Sequence, residues 1–232
     1  MTDAIDIRDM AFSWRGRTHF SLAVPELTVA AGEKLFLLGE SGSGKSTLLS
    51  LICGIATPQT GRVAVQGTDL ASLRASARDR FRAEHIGVIF QMFNLLPYAS
   101  PLDNILLPLA FAPGRRARVA DPRAEALRLT RALGLDADLV AEARTTELSI
   151  GQQQRVAAAR ALIGAPELIV ADEPTSALDA GTQEAFLALL MAQAEAAGAT
   201  LVMVSHDARL APRFDRSLDL ADIAQVRRGA VA

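Results

Sequence analysis

Residues 34–52 read KLFLLGESGSGKSTLLSLI. The run opens with five mostly apolar residues, 34–38, which read as a buried strand. It passes through a glycine–serine segment and continues from Lys45 to Ile52 with helical character. Its centre, Gly39-Glu-Ser-Gly-Ser-Gly44-Lys45-Ser46, matches the pattern GxxxxGK[ST]. Glycines let a backbone turn tightly and aim its N–H groups at phosphate oxygens. The helix that follows presents the positive end of its dipole to the same anion. Lys45 brings a full charge to the β- and γ-phosphates, and the Ser46 hydroxyl is a candidate Mg²⁺ ligand. The candidate phosphate-binding residues are therefore Gly39, Glu40, Ser41, Gly42, Ser43, Gly44, Lys45, Ser46 and Thr47. The plain alternative, a flexible Gly/Ser turn, does not account for the strand before it and the helix after it. The chain has only two lysines, Lys34 and Lys45. In a sequence that otherwise uses arginine, lysine at the phosphate position points to a need for its compact ammonium.

Outward from this unit, residues 168–174, LIVADEP, place Asp172 and Glu173 at the end of a second apolar strand. Ligands of open parallel sheets bind beyond the carboxyl ends of strands. Asp172 is thus a candidate Mg²⁺ ligand and Glu173 a candidate to orient or deprotonate an attacking water. Taken alone, the pair is also what an ordinary strand-to-turn boundary looks like. Residues 5–12, which alternate only in part, 20–24, 63–65, 86–90 and 201–205 read as further strands. Residues 74–83, 123–133, 151–163 and 182–197 read as helices, and 217–226 as one or two short strands. Strands alternating with helices predict an α/β fold with a mostly parallel sheet covered on both faces. Five prolines between Pro97 and Pro122 break residues 91–164 into short pieces. That segment is expected to be a helical subdomain inserted into a core made of residues 1–90 and 165–232, the whole forming one domain.

Half of the 232 residues are apolar and only 5% are aromatic, so the expected core is aliphatic. A net charge of −2 disfavours nucleic acid as the main partner. Arginines cluster at Arg74, Arg78, Arg80 and Arg82 and at Arg115, Arg116 and Arg118; both clusters read as solvated faces or loops. Cys53 is the single cysteine and follows Leu48, Leu49, Leu51 and Ile52, so a buried small side chain is expected there. One cysteine allows no internal disulfide, which fits a reducing compartment. No apolar run approaches the 18 residues of a membrane-spanning helix, and residues 1–10 lack the apolar stretch of a secretory signal. A membrane process would need other chains to cross the bilayer.

Four further stretches carry a family resemblance. Leu148-Ser149-Ile150-Gly151-Gln152 resembles the signature of ABC ATPases, usually LSGGQ. Ser176-Ala177-Leu178-Asp179 resembles their D-loop, Gln91 their Q-loop glutamine and His206 their switch histidine. Order and spacing match over nearly the whole chain, about residues 5–228. The resemblance implies the P-loop NTPase core of an ABC ATPase, with an N-terminal antiparallel β-subdomain and an inserted α-helical subdomain. It implies that ATP and Mg²⁺ are bound, that bound ATP shifts a dimer toward closure and that hydrolysis removes that preference, with an identical partner expected. Ser149, Gly151 and Gln152 would then face the γ-phosphate held by the other protomer, and Asp179 would shape the opposite site. Gln91 would contact Mg²⁺ and the water, and His206 the γ-phosphate. Trp14 falls where the family places an adenine-stacking aromatic, with Phe12 as the alternative. Ile150 departs from the usual glycine. A β-branched residue excludes φ > 0, so it is either a subfamily variant or the mark of a weakened signature.

Gln91-Met-Phe-Asn-Leu-Leu-Pro97 with Leu102-Asp-Asn-Ile105 resembles the lipoprotein-release and macrolide-efflux branch, whose permeases look like FtsX. That resemblance implies a permease docking near residues 91–98 and a peripheral location on the cytoplasmic face of the membrane. Phe93, Leu95, Leu96 and Tyr98 are then packed either on the core or on that partner. Other readings are a soluble ABC ATPase of translation or DNA repair, a weakly hydrolysing regulatory module, and a P-loop kinase of a small molecule. The short helical insert and single nucleotide-binding domain argue against the first. Intact Lys45, Asp172, Glu173 and His206 argue against the second, which Ile150 leaves open, and the signature and D-loop stretches argue against the third.

Overall fold

Strand β1 spans Asp3–Trp14, and its burial pattern shows why the sequence alternates only in part. Ile5 and Ile7 are buried, and so are Met10 and Phe12, so the inward parity shifts by one between them. The cause is a bulge at Asp9, whose φ is +46°, where the register to the neighbouring strand slips between Arg8 and Ala11. An extra residue on one strand of an antiparallel pair flips every later side chain to the other face. Opposite the bulge, a Cβ on Gly61 would lie 2.2 Å from the Asp9 carbonyl oxygen, so only glycine fits.

The structure is a computed structural model that describes residues 3–14, 20–176 and 178–228. After β1 come β2 (Phe20–Ala30), β3 (Lys34–Leu38), α1 (Lys45–Ile52), β4 (Thr60–Val65), β5 (Thr68–Asp69), α2 (Ala75–His85) and β6 (Ile86–Ile89). Next are α3 (Pro101–Leu106), α4 (Pro113–Ala117), α5 (Pro122–Ala132), α6 (Ala137–Glu142) and α7 (Ile150–Leu162). The chain closes with β7 (Leu168–Asp172), α8 (Ala180–Ala196), β8 (Thr200–Ser205), β9 (Arg216–Asp219), α9 (Leu220–Ile223) and β10 (Gln225–Arg228). These elements fall into two compact units, residues 1–82 with 202–232, and residues 83–201. The chain passes from the first to the second inside α2 and returns inside β8.

In the first unit, five strands form an antiparallel sheet in the order β10-β2-β1-β4-β5. A separate parallel pairing sets β3 against β9, with Leu35 opposite Arg216 and Leu38 opposite Asp219. The residues of β3 are almost wholly buried, as a strand covered on both faces requires. α1 hides Leu48, Leu49, Leu51 and Ile52, and Cys53 beside them is 2% exposed, as its apolar setting predicted. The arginines of α2 are not simply solvated. Arg78 donates to the Gly54 carbonyl at 2.9 Å and Arg82 to the Cys53 and Gly54 carbonyls at 3.5 Å. They close the carboxyl end of α1, where unpaired carbonyls carry partial negative charge. Arg74 and Arg80 are exposed, as expected.

In the second unit, β6 and β7 pair in parallel, Ile86 opposite Leu168 and Ile89 opposite Ala171. α8 buries Gln183, Phe186, Leu187, Leu190 and Ala194, the spacing of one helical face. Each large apolar side chain so buried contributes about 1.5–3 kcal/mol. Arg115 overturns the solvated-loop expectation most clearly: it is 1% exposed. Its guanidinium donates to the carbonyls of Ile163, Ala161 and Ala83, so it caps the end of α7 just as Arg78 and Arg82 cap α1. Burial draws its pKa down to about 10. Among the described residues, no helix is long and apolar enough to cross a membrane.

Candidate functional site

The first unit holds the loop and its helix. β3 delivers the chain to Gly39, whose N–H donates to the Ser205 carbonyl at 3.3 Å, and a turn closes with Ser43 N–H on the Glu40 carbonyl at 3.1 Å. Gly44 is the N-cap of α1 with φ +101°. A Cβ there would need a left-handed backbone and would also press to 3.2 Å of a Leu22 methyl. Gly44 supplies no side-chain acceptor, and the first turn of α1 has no acidic residue. By contrast α3, α5, α6, α8 and α9 each carry a Ser or Asp cap, and the Glu84 carboxylate accepts from the first N–H groups of α4. α1 therefore has donors that its own cap does not engage, which is the arrangement that receives an anion.

Lys45 is buried, 7% exposed. Its Nζ donates to the Gly39 carbonyl at 2.5 Å and the Glu40 carbonyl at 2.9 Å, so the ammonium is folded back across the loop. Ser46 is exposed in the first turn, and Thr47 Oγ1 accepts a hydrogen bond from Trp14 Nε1 at 3.2 Å. The two aromatic candidates separate: Phe12 is 7% exposed and Trp14 47%, their rings meeting edge to face at 4.8 Å. Phe12 belongs to the core, and Trp14 offers a face to solvent beside the loop. His206 is exposed directly after β8. Asp207 next to it accepts from Arg209 at 2.7 and 2.8 Å.

The second unit holds the carboxylates. β7 runs through four buried residues to Asp172, which is half-buried. Glu173 is 9% exposed and adopts φ +47°, a left-handed conformation that costs a non-glycine residue about 1–3 kcal/mol. The surrounding chain enforces it. Gln154 on α7 donates to the Pro174 carbonyl, and Gln183 on α8 donates to Thr175 Oγ1 at 2.8 Å. Strain of this kind is kept where a side chain must be aimed in one direction. Asp179 caps α8, accepting from the Thr182 N–H at 3.0 Å and hydroxyl at 2.7 Å, and these bonds hold its carboxyl below the usual carboxylate range. Ala177, part of the D-loop stretch, lies outside the described residues.

Ser149 caps α7 in a reciprocal box: its Oγ accepts from Gln152 N–H at 3.3 Å and its own N–H donates to Gln152 Oε1 at 2.8 Å. Gly151 sits in the first turn, where an added Cβ would meet only Leu178 at an ordinary 3.6 Å. Nothing described in its own chain demands glycine there. Gln91 is exposed after β6.

Against known sequences, the family described as "ABC transporter" matches residues 22–176. The chain belongs to the ABC transporter family. It is similar to the lipoprotein-releasing system ATP-binding protein LolD of Anaeromyxobacter dehalogenans, 48% identical over 197 residues, 85% of this chain and 81% of that protein. It is 41% identical over 196 residues to the macrolide export ATP-binding/permease protein MacB of Rhodopirellula baltica, covering 84% of this chain and 28% of that longer one. Among solved structures, the dimeric post-hydrolysis state of the ATP-binding cassette MJ0796 bound to ADP and Pi matches with a TM-score of 0.81. The two are 32% identical, over 98% of this chain and 99% of that one. The chain thus has the fold of an ABC ATPase cassette and is an ATP-binding, ATP-hydrolysing subunit of an ABC transporter.

Within this family the departure at Ile150 has a simple local account. Ile150 is the first residue of α7 and is not among the positions with positive φ, so a β-branched side chain fits without backbone strain. It is 55% exposed. The apolar loop splits rather than packing one way: Phe93 is 9% exposed, Leu95 and Leu96 are half-buried, and Tyr98 is 85% exposed. Met92, also in this loop, is 81% exposed. Sequence reasoning gave no role of their own to Arg160, Asn104 and Thr145, all buried polar side chains in the second unit. A signal existed for the first two: each interrupts an otherwise apolar helical face.

Proposed function

We propose that two copies of this ABC transporter subunit close on ATP and drive a membrane permease of the kind used by lipoprotein-releasing and macrolide-export systems, with FtsX-like topology. The observation that carries the hydrolytic half is Glu173, a buried carboxylate in a left-handed backbone braced by Gln154 and Gln183. Its role is to orient the attacking water and take its proton. The loop from Gly39 to Thr47 holds the triphosphate, Trp14 stacks on the adenine, and His206 bonds the γ-phosphate. From the other copy, Ser149, Gly151 and Gln152 complete the γ-phosphate site, with Asp179 beside them. The glycine at 151, which the described residues of its own chain do not require, leaves room for that approach. ATP binds the closed pair better than the open one and so shifts the population toward closure.

Ser46, Gln91 and Asp172 offer a hydroxyl, an amide oxygen and a carboxylate, all hard donors of the class that suits Mg²⁺. When bound, the ion neutralises charge on the phosphate oxygens. Met92 and Tyr98, 81% and 85% exposed, are the apolar contacts offered to the permease. The subunit would then sit peripherally, on the cytoplasmic face.

The test compares Mg²⁺-ATP hydrolysis and size-exclusion elution of the wild type and Glu173→Gln. Removing a general base costs about 10²–10⁴-fold in rate. Glu173→Gln is expected to lose activity by that order and to elute as a dimer only with ATP. Wild-type turnover in the variant would remove Glu173 from the mechanism. ATP-independent elution of both proteins would remove the closure step.

A further inference from the structure

Arg160 lies near the end of α7 among Val156, Ala157, Ala158, Ala159, Ala161 and Leu162, all buried, and is itself 9% exposed. Among the described residues its guanidinium has no carboxylate partner. Nη1 donates to the Asn94 carbonyl at 2.7 Å, and Nη2 donates to the Phe93 carbonyl. Burial draws its pKa down. A desolvated cation answered only by carbonyls is a costly way to fill a core position, which leucine or methionine would fill without the desolvation. The position makes sense through what it holds.

What it holds is an unusual turn. Phe93 N–H donates to the Phe90 carbonyl at 2.9 Å and Asn94 N–H to the Met92 carbonyl at 2.6 Å. Phe93 and Asn94 have φ of +58° and +49°, two successive left-handed residues without a glycine. Such a conformation persists only where its surroundings over-determine it. Gln91 and Met92 lie inside the turn, exposed. The far side of the loop is pinned separately. Asn104, fully buried, accepts from Leu96 N–H at 2.8 Å and donates to the Leu96 carbonyl at 3.1 Å, and Thr145 Oγ1 donates to the Ala99 carbonyl at 2.6 Å.

We propose that Arg160 is a positioning residue for Gln91: its grip on the Phe93 and Asn94 carbonyls fixes the turn that sets the Gln91 backbone. It does so from α7, the helix that begins at Ser149 and Gly151, so a displacement of α7 reaches Gln91 through two hydrogen bonds. This rests on the role given to Gln91 above.

The experiment uses the full chain and Mg²⁺-ATP, measuring kcat and KM for wild type, Gln91→Ala, Arg160→Met and the double variant, with amide hydrogen exchange on each. Contacting residues in one network show strong non-additivity. Arg160→Met is expected to lower kcat roughly tenfold, the size of such couplings, with KM little changed. The double variant should be no slower than Gln91→Ala alone. Exchange at residues 93 and 94 should rise while the first turns of α7 stay protected, and Arg160→Lys should recover part of the loss. If Arg160→Met does not fold, Arg160→Lys carries the same cycle with smaller losses. Losses that multiply in the double variant, or unchanged exchange at 93 and 94, overturn the proposal. Wild-type turnover in Gln91→Ala overturns the role of Gln91 and the catalytic consequence of the grip, while the exchange data alone decide whether Arg160 holds the turn.

Discussion

Ile150 and Arg115 show how differently one residue can be read before and after its backbone is known. At Ile150 the departure from glycine would strain the backbone only if the position needed φ > 0, and as the first residue of α7 it does not. Ile150→Gly is therefore expected to leave ATP turnover within about threefold, while costing up to about 1 kcal/mol of stability from helix propensity. Urea unfolding and a turnover assay on the same preparation check both halves, and a large rise in turnover would mark the isoleucine as a brake. Arg115 carries the opposite lesson: a residue inside a basic run is fully buried and answers three carbonyls. Hydrogen bonds to charged groups contribute about 1.5–3 kcal/mol each, and buried acceptors left behind add to the loss. Arg115→Met should lower unfolding stability by at least about 2 kcal/mol, read as a shift of the urea midpoint at unchanged slope.

At the scale of elements, the two helices assigned to phosphate differ at their amino ends. α1 begins at a glycine without a cap, whereas α7 closes its own first turn through Ser149 and Gln152. α8 begins at Asp179, whose bonds to Thr182 lower its pKa. A carboxylate depressed in the folded state stabilises it fully above the unfolded pKa, and that contribution fades as pH falls through the folded value. In acid titrations of stability, the wild type should lose more between pH 5 and the lowered pKa than Asp179→Asn, whose profile should be flatter there. Equal slopes would mean that the cap does not differ between folded and unfolded chains.

Across the whole chain, the strand–loop–helix of residues 34–52 was legible because one residue-type pattern serves both geometry and chemistry. α5 was read within one residue, at 123–133, whereas α3 and α4 were less legible. Pro101, Pro113 and Pro122 look like breaks, yet each occupies the first helical position, where the missing N–H costs nothing. The bulge at Asp9 hid the parity of β1. Of the site, the residue types of the loop, the carboxylates and the signature were readable. The left-handed backbone of Glu173 and the grip of Arg160 were not, since both depend on partners far away in sequence.

The folded-back ammonium of Lys45 gives the loop a threshold. Its charge is answered by two carbonyls at 2.5 and 2.9 Å. Under the phosphate-binding role proposed for Lys45, an incoming anion replaces both bonds rather than meeting a bare charge, so binding is an exchange whose net gain grows with the number of phosphate oxygens presented. On that reading, the carbonyls of Gly39 and Glu40 set what a ligand must offset before it gains from Lys45.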